Sequence, residues 1–159
     1  MKKIVYKIFA CLIFMAFMSC SSTKNIAKDN SEIVKIVENG YYKLDIDRIV
    51  TSSILYTHKI RPEGFLKVYG DKVTADLPFF GIAYTANMQD SGIKIDSPIK
   101  DLKIKNKGNV LEVKFKTGSP KENFDVFISI YYDSTFMLIV HGSNRESISY
   151  TGVMEQISN

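Results

Sequence analysis

Lys72-Val73-Thr74-Ala75-Asp76-Leu77-Pro78-Phe79-Phe80-Gly81 alternates polar and apolar residues and then stops on a proline, two aromatics and a glycine. Period-two alternation describes a strand with one buried face. Pro78 fixes φ and removes a backbone donor, so it belongs at a strand end or edge. Gly81 permits a positive φ or a close backbone approach. The stretch predicts a strand from Lys72 to Leu77 that ends in a fixed, buried corner. If the chain stays extended there, Phe79 and Phe80 point to opposite sides, one into the core and one over a rim.

The same period extends in both directions. Upstream, Phe65 to Tyr69 is joined to Lys72 by Gly70-Asp71, a two-residue hairpin signal. Tyr42 to Asp47 alternates cleanly, and Thr51 to His58 reads as strand or extended loop before Arg61-Pro62-Glu63-Gly64. Downstream, strands are predicted at Ile82–Ala86, Gly92–Asp96, Leu102–Lys105, Val110–Lys116, Phe124–Tyr132, Thr135–His141 and Glu146–Ile157. Connections this short make sequential neighbours pair antiparallel. Phe124, Val126, Ile128, Ile130 and Tyr132 share one face, with Phe127 and Tyr131 opposite, so this strand is expected to be covered on both sides. The wholly apolar Phe136–Val140 reads the same way. One short helix fits Asn30 or Ser31 to Gly40, with the stripe Ile33, Val34, Ile36, Val37 and a glycine stop. The expected fold is mainly β: an antiparallel β-barrel or two-sheet sandwich of about 8–10 strands with one short N-terminal helix.

The first 19 residues read as export machinery. Lys2, Lys3 and Lys7 precede an uncharged apolar run from Ile8 to Met18, too short to span a bilayer and suited to a signal peptide. It ends in Phe17-Met18-Ser19-Cys20, which resembles the lipobox of bacterial lipoproteins and makes Cys20 the expected lipidated residue. Met18 departs from the commonest pattern. The boundaries expected are a signal peptide over 1–19, a lipidated cysteine and flexible tether over 20–30, and a single β-rich domain over 31–159. Cys11 leaves with the signal, so the domain is held by its core without disulfides. Processing leaves 18 basic residues against 17 acidic, a net charge of +1, so nucleic acid is not implied as a partner.

Two segments together resemble a known family. Val68 to Val73 followed by Leu77-Pro78-Phe79-Phe80-Gly81, and Asn144-Arg145-Glu146-Ser147-Ile148-Ser149-Tyr150-Thr151-Gly152, are similar to the two hallmarks of a family of Bacteroidetes lipoproteins catalogued as domain of unknown function 4251. The resemblance runs from about Ile33 to Ile157. Ile82 stands where the family pattern has a basic residue, and no proline lies near Val50. The resemblance implies an envelope lipoprotein of unassigned activity and supplies no catalytic residues.

Each candidate site has a plainer alternative. Phe79 and Phe80 could line a ligand mouth or pack a corner. Arg145, in the polar turn with Asn144 and Glu146, could bind an anion through its fork or pair with a carboxylate. Ser147, Ser149 and Thr151 form a hydroxyl row opposite Ile148 and Tyr150, able to meet a ligand or to face water. His58 and His141 lack a nucleophile motif, and two isolated histidines do not make a zinc site. Asp45 and Asp47 share a face with Lys43, as cation ligands or as a balanced surface. Lys94, Lys100, Lys103, Lys105, Lys107, Lys114 and Lys116 could meet anionic headgroups or block edge aggregation.

The expectation is a lipid-anchored, periplasm-facing binding or protein-interaction domain of the outer membrane, with no catalytic residues, metal or cofactor. Its partners would be the membrane, through the lipid on Cys20, and an envelope protein or small ligand. Possible contact residues are Phe79, Phe80, Asn144, Arg145 and Tyr150. The alternative is a carrier with an apolar ligand inside the barrel.

Overall fold

A computed structural model describes residues 26–50, 64–84 and 92–158. The expected strand or extended loop Thr51–His58, and His58 with it, lies outside the described residues, as do Cys20 and the signal.

Among the described residues one helix is followed by nine antiparallel strands: α1 (Ile26–Asn39), β1 (Tyr41–Val50), β2 (Phe65–Tyr69), β3 (Lys72–Leu77), β4 (Ile93–Pro98), β5 (Lys100–Asn106), β6 (Val110–Ser119), β7 (Glu122–Tyr131), β8 (Thr135–Gly142) and β9 (Ile148–Gln156). They form one sheet in the order β4-β3-β2-β1-β9-β8-β7-β6-β5. The two ends of that order are consecutive in the chain. β4 pairs with β3 and β5 pairs with β6, with only Ile99 between them. Ile99 donates its N–H to Asp71 O at 2.7 Å, and Thr117 Oγ1 donates to Pro98 O at 3.3 Å across the seam. The strand thus crosses from one edge of the sheet to the other, and the sheet curls into a nearly closed barrel. This settles barrel against sandwich.

Every strand but β5, whose Ile104 is only partly buried, supplies the interior by alternation. On β1, Tyr42, Leu44 and Ile46 point in; a bulge between Ile46 and Arg48 then shifts the parity, so that Ile49 is buried and Arg48 exposed. Opposite that bulge sits Gly152, where a Cβ would collide with Asp45 O. Leu44, Leu66, Leu77, Ile93, Val126, Ile130, Leu138 and Tyr150 are each 0 % exposed. Burying one such aliphatic side chain is worth about 1.5–3 kcal/mol. Among the described residues the core lies between Ile33 and Met154.

Three expectations change. The helix begins at Ile26 rather than near Asn30, so residues 26–30 belong to α1 and not to the tether. Its Ile33 and Val37, one turn apart, close one end of the barrel, and Gly40 (φ 74°) ends it. Ile82–Ala86 is not a strand over its described part: only Ala83 makes a bridge, to Arg145. Strands β7 and β8 are covered on one side only. Phe127 is half-buried, and Tyr131 and Met137 are exposed, because a single curled sheet has only one inside.

Candidate functional site

The barrel has two unlike ends. Near α1 lie the β2–β3 turn, where Gly70 N–H donates to Gly40 O at 2.9 Å, and the β7–β8 turn, which borders Glu32 and Ile33. At the opposite end are the Pro78 corner, the β6–β7 turn and the β8–β9 turn, and these hold most of the candidate residues.

Glu122 organises this rim. Its carboxylate is 1 % exposed and accepts from Arg145 Nη2 at 2.8 Å, Arg145 Nε at 2.9 Å and the Asn144 N–H at 3.0 Å. Both guanidinium nitrogens converge on Oε2, in charge-assisted hydrogen bonds, while Oε1 takes the backbone N–H. The Arg145 guanidinium lies 4.7 Å from the Phe79 ring centroid and 6.0 Å from that of Phe124. Asn144 Nδ2 donates to Lys121 O at 3.3 Å. Gly142 leaves the space: a Cβ there would overlap Glu122 Oε1 and come within 2.8 Å of Arg145 Cγ. The ion pair therefore ties the β6–β7 turn, the β8–β9 turn and the corner into one unit.

Tyr150 fixes the corner from below. It is fully buried and donates its hydroxyl to Pro78 O at 2.8 Å. Burial pushes its phenol well above the ordinary tyrosine value, only partly offset by the Arg145 charge, and burial does the same to Tyr42. Gly81 is not at positive φ; it makes room instead, since a Cβ there would sit 2.8 Å from Phe79 Cζ. Phe79 turns inward against the core while Phe80 turns out.

The chain after the corner lies along the β8–β9 turn. Tyr84 N–H donates to Asn144 O at 2.9 Å, Glu146 N–H to Ile82 O at 3.0 Å, and Ile82 N–H to Glu146 Oε2 at 3.3 Å. Held this way, Phe80, Ile82 and Tyr84 are 56 %, 58 % and 67 % exposed. A groove of about 270 Å³ runs beside Arg145, bordered by Lys94, Pro120, Lys121 and Phe124.

Of the predicted contact residues, the structure brings Arg145 and Tyr150, both buried, together with the half-buried Phe79 and Asn144 as a support, and leaves Phe80 on the surface. Arg145 is 6 % exposed and engaged by a carboxylate, so it is not presented to an external anion. Sequence reasoning missed Glu122, which sits after a Gly-Ser-Pro segment and reads as solvated loop. In the structure β6 runs to Ser119 and β7 starts at Glu122 itself. Ile82 and Tyr84 were also missed, their spacing of two with Phe80 being the available signal.

Elsewhere the chemistry is sparse. His141 Nδ1 meets Ser147 Oγ, with Asp125 opposite His141 in register, at a cleft of about 720 Å³ over the seam. Among the described residues no carboxylate hydrogen-bonds His141, which leaves that pair without the third group that orients a catalytic base. Asp45 is paired with Lys43 at 2.5 Å, and no cluster of three metal-ligating side chains occurs among the described residues.

The fold and rim define a small antiparallel β-barrel domain, capped by a helix at one end and carrying a pinned apolar row at the other. Residues 24–154 match the family model described as domain of unknown function DUF4251, and the chain belongs to that family. It is also similar to the crystal structure of a DUF4251 family protein from Bacteroides eggerthii, with a TM-score of 0.65 and 14 % identity over 82 % of this chain and 89 % of that one. No curated protein matches.

Proposed function

We propose that this chain is a lipid-anchored envelope protein of the outer membrane that works as a periplasm-facing protein-interaction domain, not as an enzyme, with the rim at Phe80, Ile82 and Tyr84 as its contact surface. The observation that carries this reading is the pinned row: three large apolar side chains more than half exposed on backbone held by hydrogen bonds to the β8–β9 turn. Aromatic and aliphatic anchors on rigid backbone are the usual core of a protein interface, because little entropy is lost on contact. The row lies at the end away from α1, so a bilayer holding the N-terminus is not its occupant. A carrier would need interior space, and among the described residues the inward side chains of β1–β4 and β6–β9 are buried against one another, with Ile104 of β5 packed against them.

The test compares wild type with Phe80→Ser/Ile82→Ser/Tyr84→Ser after cross-linking in cells. The variant should keep its circular dichroism and lose at least about tenfold of a defined partner, as for anchor residues worth about 1.4 kcal/mol or more. Equal recovery with both proteins would reject the rim. For the anchor, Cys20→Ala should leave the membrane fraction; continued fractionation with membranes would reject lipidation.

A further inference from the structure

We propose that the outer face of the β5–β6 hairpin is a docking surface for an anionic bilayer, its lysine ammonium groups meeting headgroup phosphates. The proposal uses the anchored reading only for orientation, since the electrostatic contact does not need the lipid.

The hairpin, residues 100–116, carries six lysines against Asp101 and Glu112, in a mature chain whose net charge is +1. The placement is more telling than the count. Lys100 lies directly opposite Lys116, and Lys103 directly opposite Lys114. Like charges facing each other across a strand pair destabilise it. The pairing also depends on a bulge: three steps along β5, from Lys100 to Lys103, span two along β6, and Asp101 takes a positive φ of 54°. The extra residue brings both lysines to the outer face, where strict alternation would turn one of them inward. Among the described residues Lys100, Lys103 and Lys105 are in no ion pair, while Lys107 reaches Glu112 at 2.8 Å and Lys116 reaches Asp101 at 3.9 Å.

Protection of an edge strand explains lysines on β5. It does not explain Lys114 and Lys116, which are on β6, a strand paired on both sides. Among the described residues one other like-charge pair faces across strands, Lys43 opposite Lys67, and there both have local partners: Lys43 has Asp45 at 2.5 Å, and Lys67 lies 5.4 Å from the Tyr69 ring centroid. In the hairpin Lys114 likewise lies 5.4 Å from the Phe127 ring centroid, but among the described residues Lys100 and Lys103 have neither an ion pair nor a ring contact. Leu102 is 50 % exposed among the hairpin lysines, an apolar side chain suited to the headgroup boundary.

The chain's entry point favours a membrane as the occupant. Tyr132 donates its hydroxyl to Asn106 Oδ1 at 2.9 Å at the hairpin tip, and Tyr132 also borders the cleft beside Glu32 and Ile33 of α1. Helix α1 starts at Ile26, six positions after Cys20. The hairpin tip, with Lys105 and Lys107, therefore lies at the end of the barrel that an N-terminal anchor would hold near the bilayer, and the lysine row runs from there along the wall to Lys100 and Lys116, beside the cleft at the rim end.

The experiment sediments residues 21–159, which contain every described core residue and carry no lipid, with vesicles of phosphatidylcholine alone or mixed with phosphatidylglycerol. Binding should appear only with phosphatidylglycerol and weaken as salt rises. Lys103→Gln/Lys114→Gln should weaken it about 25-fold, about fivefold per lysine. Lys43→Gln/Lys67→Gln, the like-charge pair on another wall, should leave it unchanged. Absence of binding, equal binding to neutral vesicles, or equal loss in both variants would overturn the proposal. So would binding to a short oligonucleotide or to inorganic phosphate that anionic vesicles fail to displace. Because the lipid is absent from this assay, failure here leaves the Cys20→Ala result independent.

Discussion

Glu122→Leu removes the carboxylate from a buried pair in which both side chains are at most 4 % exposed, and takes that counter-charge from a guanidinium set near the Phe79 and Phe124 rings. Breaking a buried pair from one side costs about 3–5 kcal/mol. The Asn144 N–H loses its acceptor as well, which places the expected loss toward the upper half of that range. For a domain of this size the melting temperature should fall by about 10–15 °C. Arg145→Met should cost a similar amount, since it strands the carboxylate. The double variant should recover much of the loss, because an apolar pair of similar volume satisfies the same space without desolvated charge. Urea unfolding followed by circular dichroism gives all four stabilities, and the coupling in the cycle should be at least about 2 kcal/mol. Singles that each lose less than about 1 kcal/mol, or losses that simply add, would refute the view of Glu122–Arg145 as a buried lock, since exposed pairs behave that way.

Three further outcomes follow from the same geometry. Gly142→Ala should cost about 3 kcal/mol and add little to Glu122→Leu, because both disrupt one contact; unfolding of the single and double variants checks this. Tyr42 and Tyr150 stay neutral in the folded chain while their phenols ionise near pH 10 once unfolded, so stability should be flat with respect to them below about pH 10 and fall above it by about 1.4 kcal/mol per pH unit for each. Tyr150→Phe should halve that alkaline slope and cost about 1 kcal/mol at neutral pH through loss of its bond to Pro78 O, both read from urea unfolding across pH. Serine at Phe80, Ile82 or Tyr84 should change stability by no more than about 0.5 kcal/mol, as expected where a side chain is more than half exposed.

Strand positions were legible because burial follows parity: Val73, Ala75 and Leu77 are buried while Lys72, Thr74 and Asp76 face out, as their alternation requires. Closure was not legible, because a sandwich and a barrel ask for the same alternation. What separates them is one residue, Ile99, at which the strand changes partners. The outer faces of β7 and β8 were misread because Phe127, Met137 and Ile139 carry no mark of how many layers cover them. At the site, the hallmark residues Phe79, Asn144, Arg145 and Tyr150 were found from their motifs. The partner that gives them their arrangement was not, since Glu122 is 23 residues from Arg145 and long-range pairing leaves no local pattern. The parity shift on β1 was also invisible, although its companion Gly152 stands in the second hallmark.

The central claim is that the rim, and not another face, meets a protein partner. It is tested most directly by placing a photo-activatable cross-linker singly at Phe80, Ile82 and Tyr84 and, for comparison, at exposed Thr74 and Val153 in the full-length protein in cells. The account predicts one discrete cross-linked species from the three rim positions and none from Thr74 or Val153. Equal labelling from all five positions, or discrete products from the comparison positions alone, would contradict it.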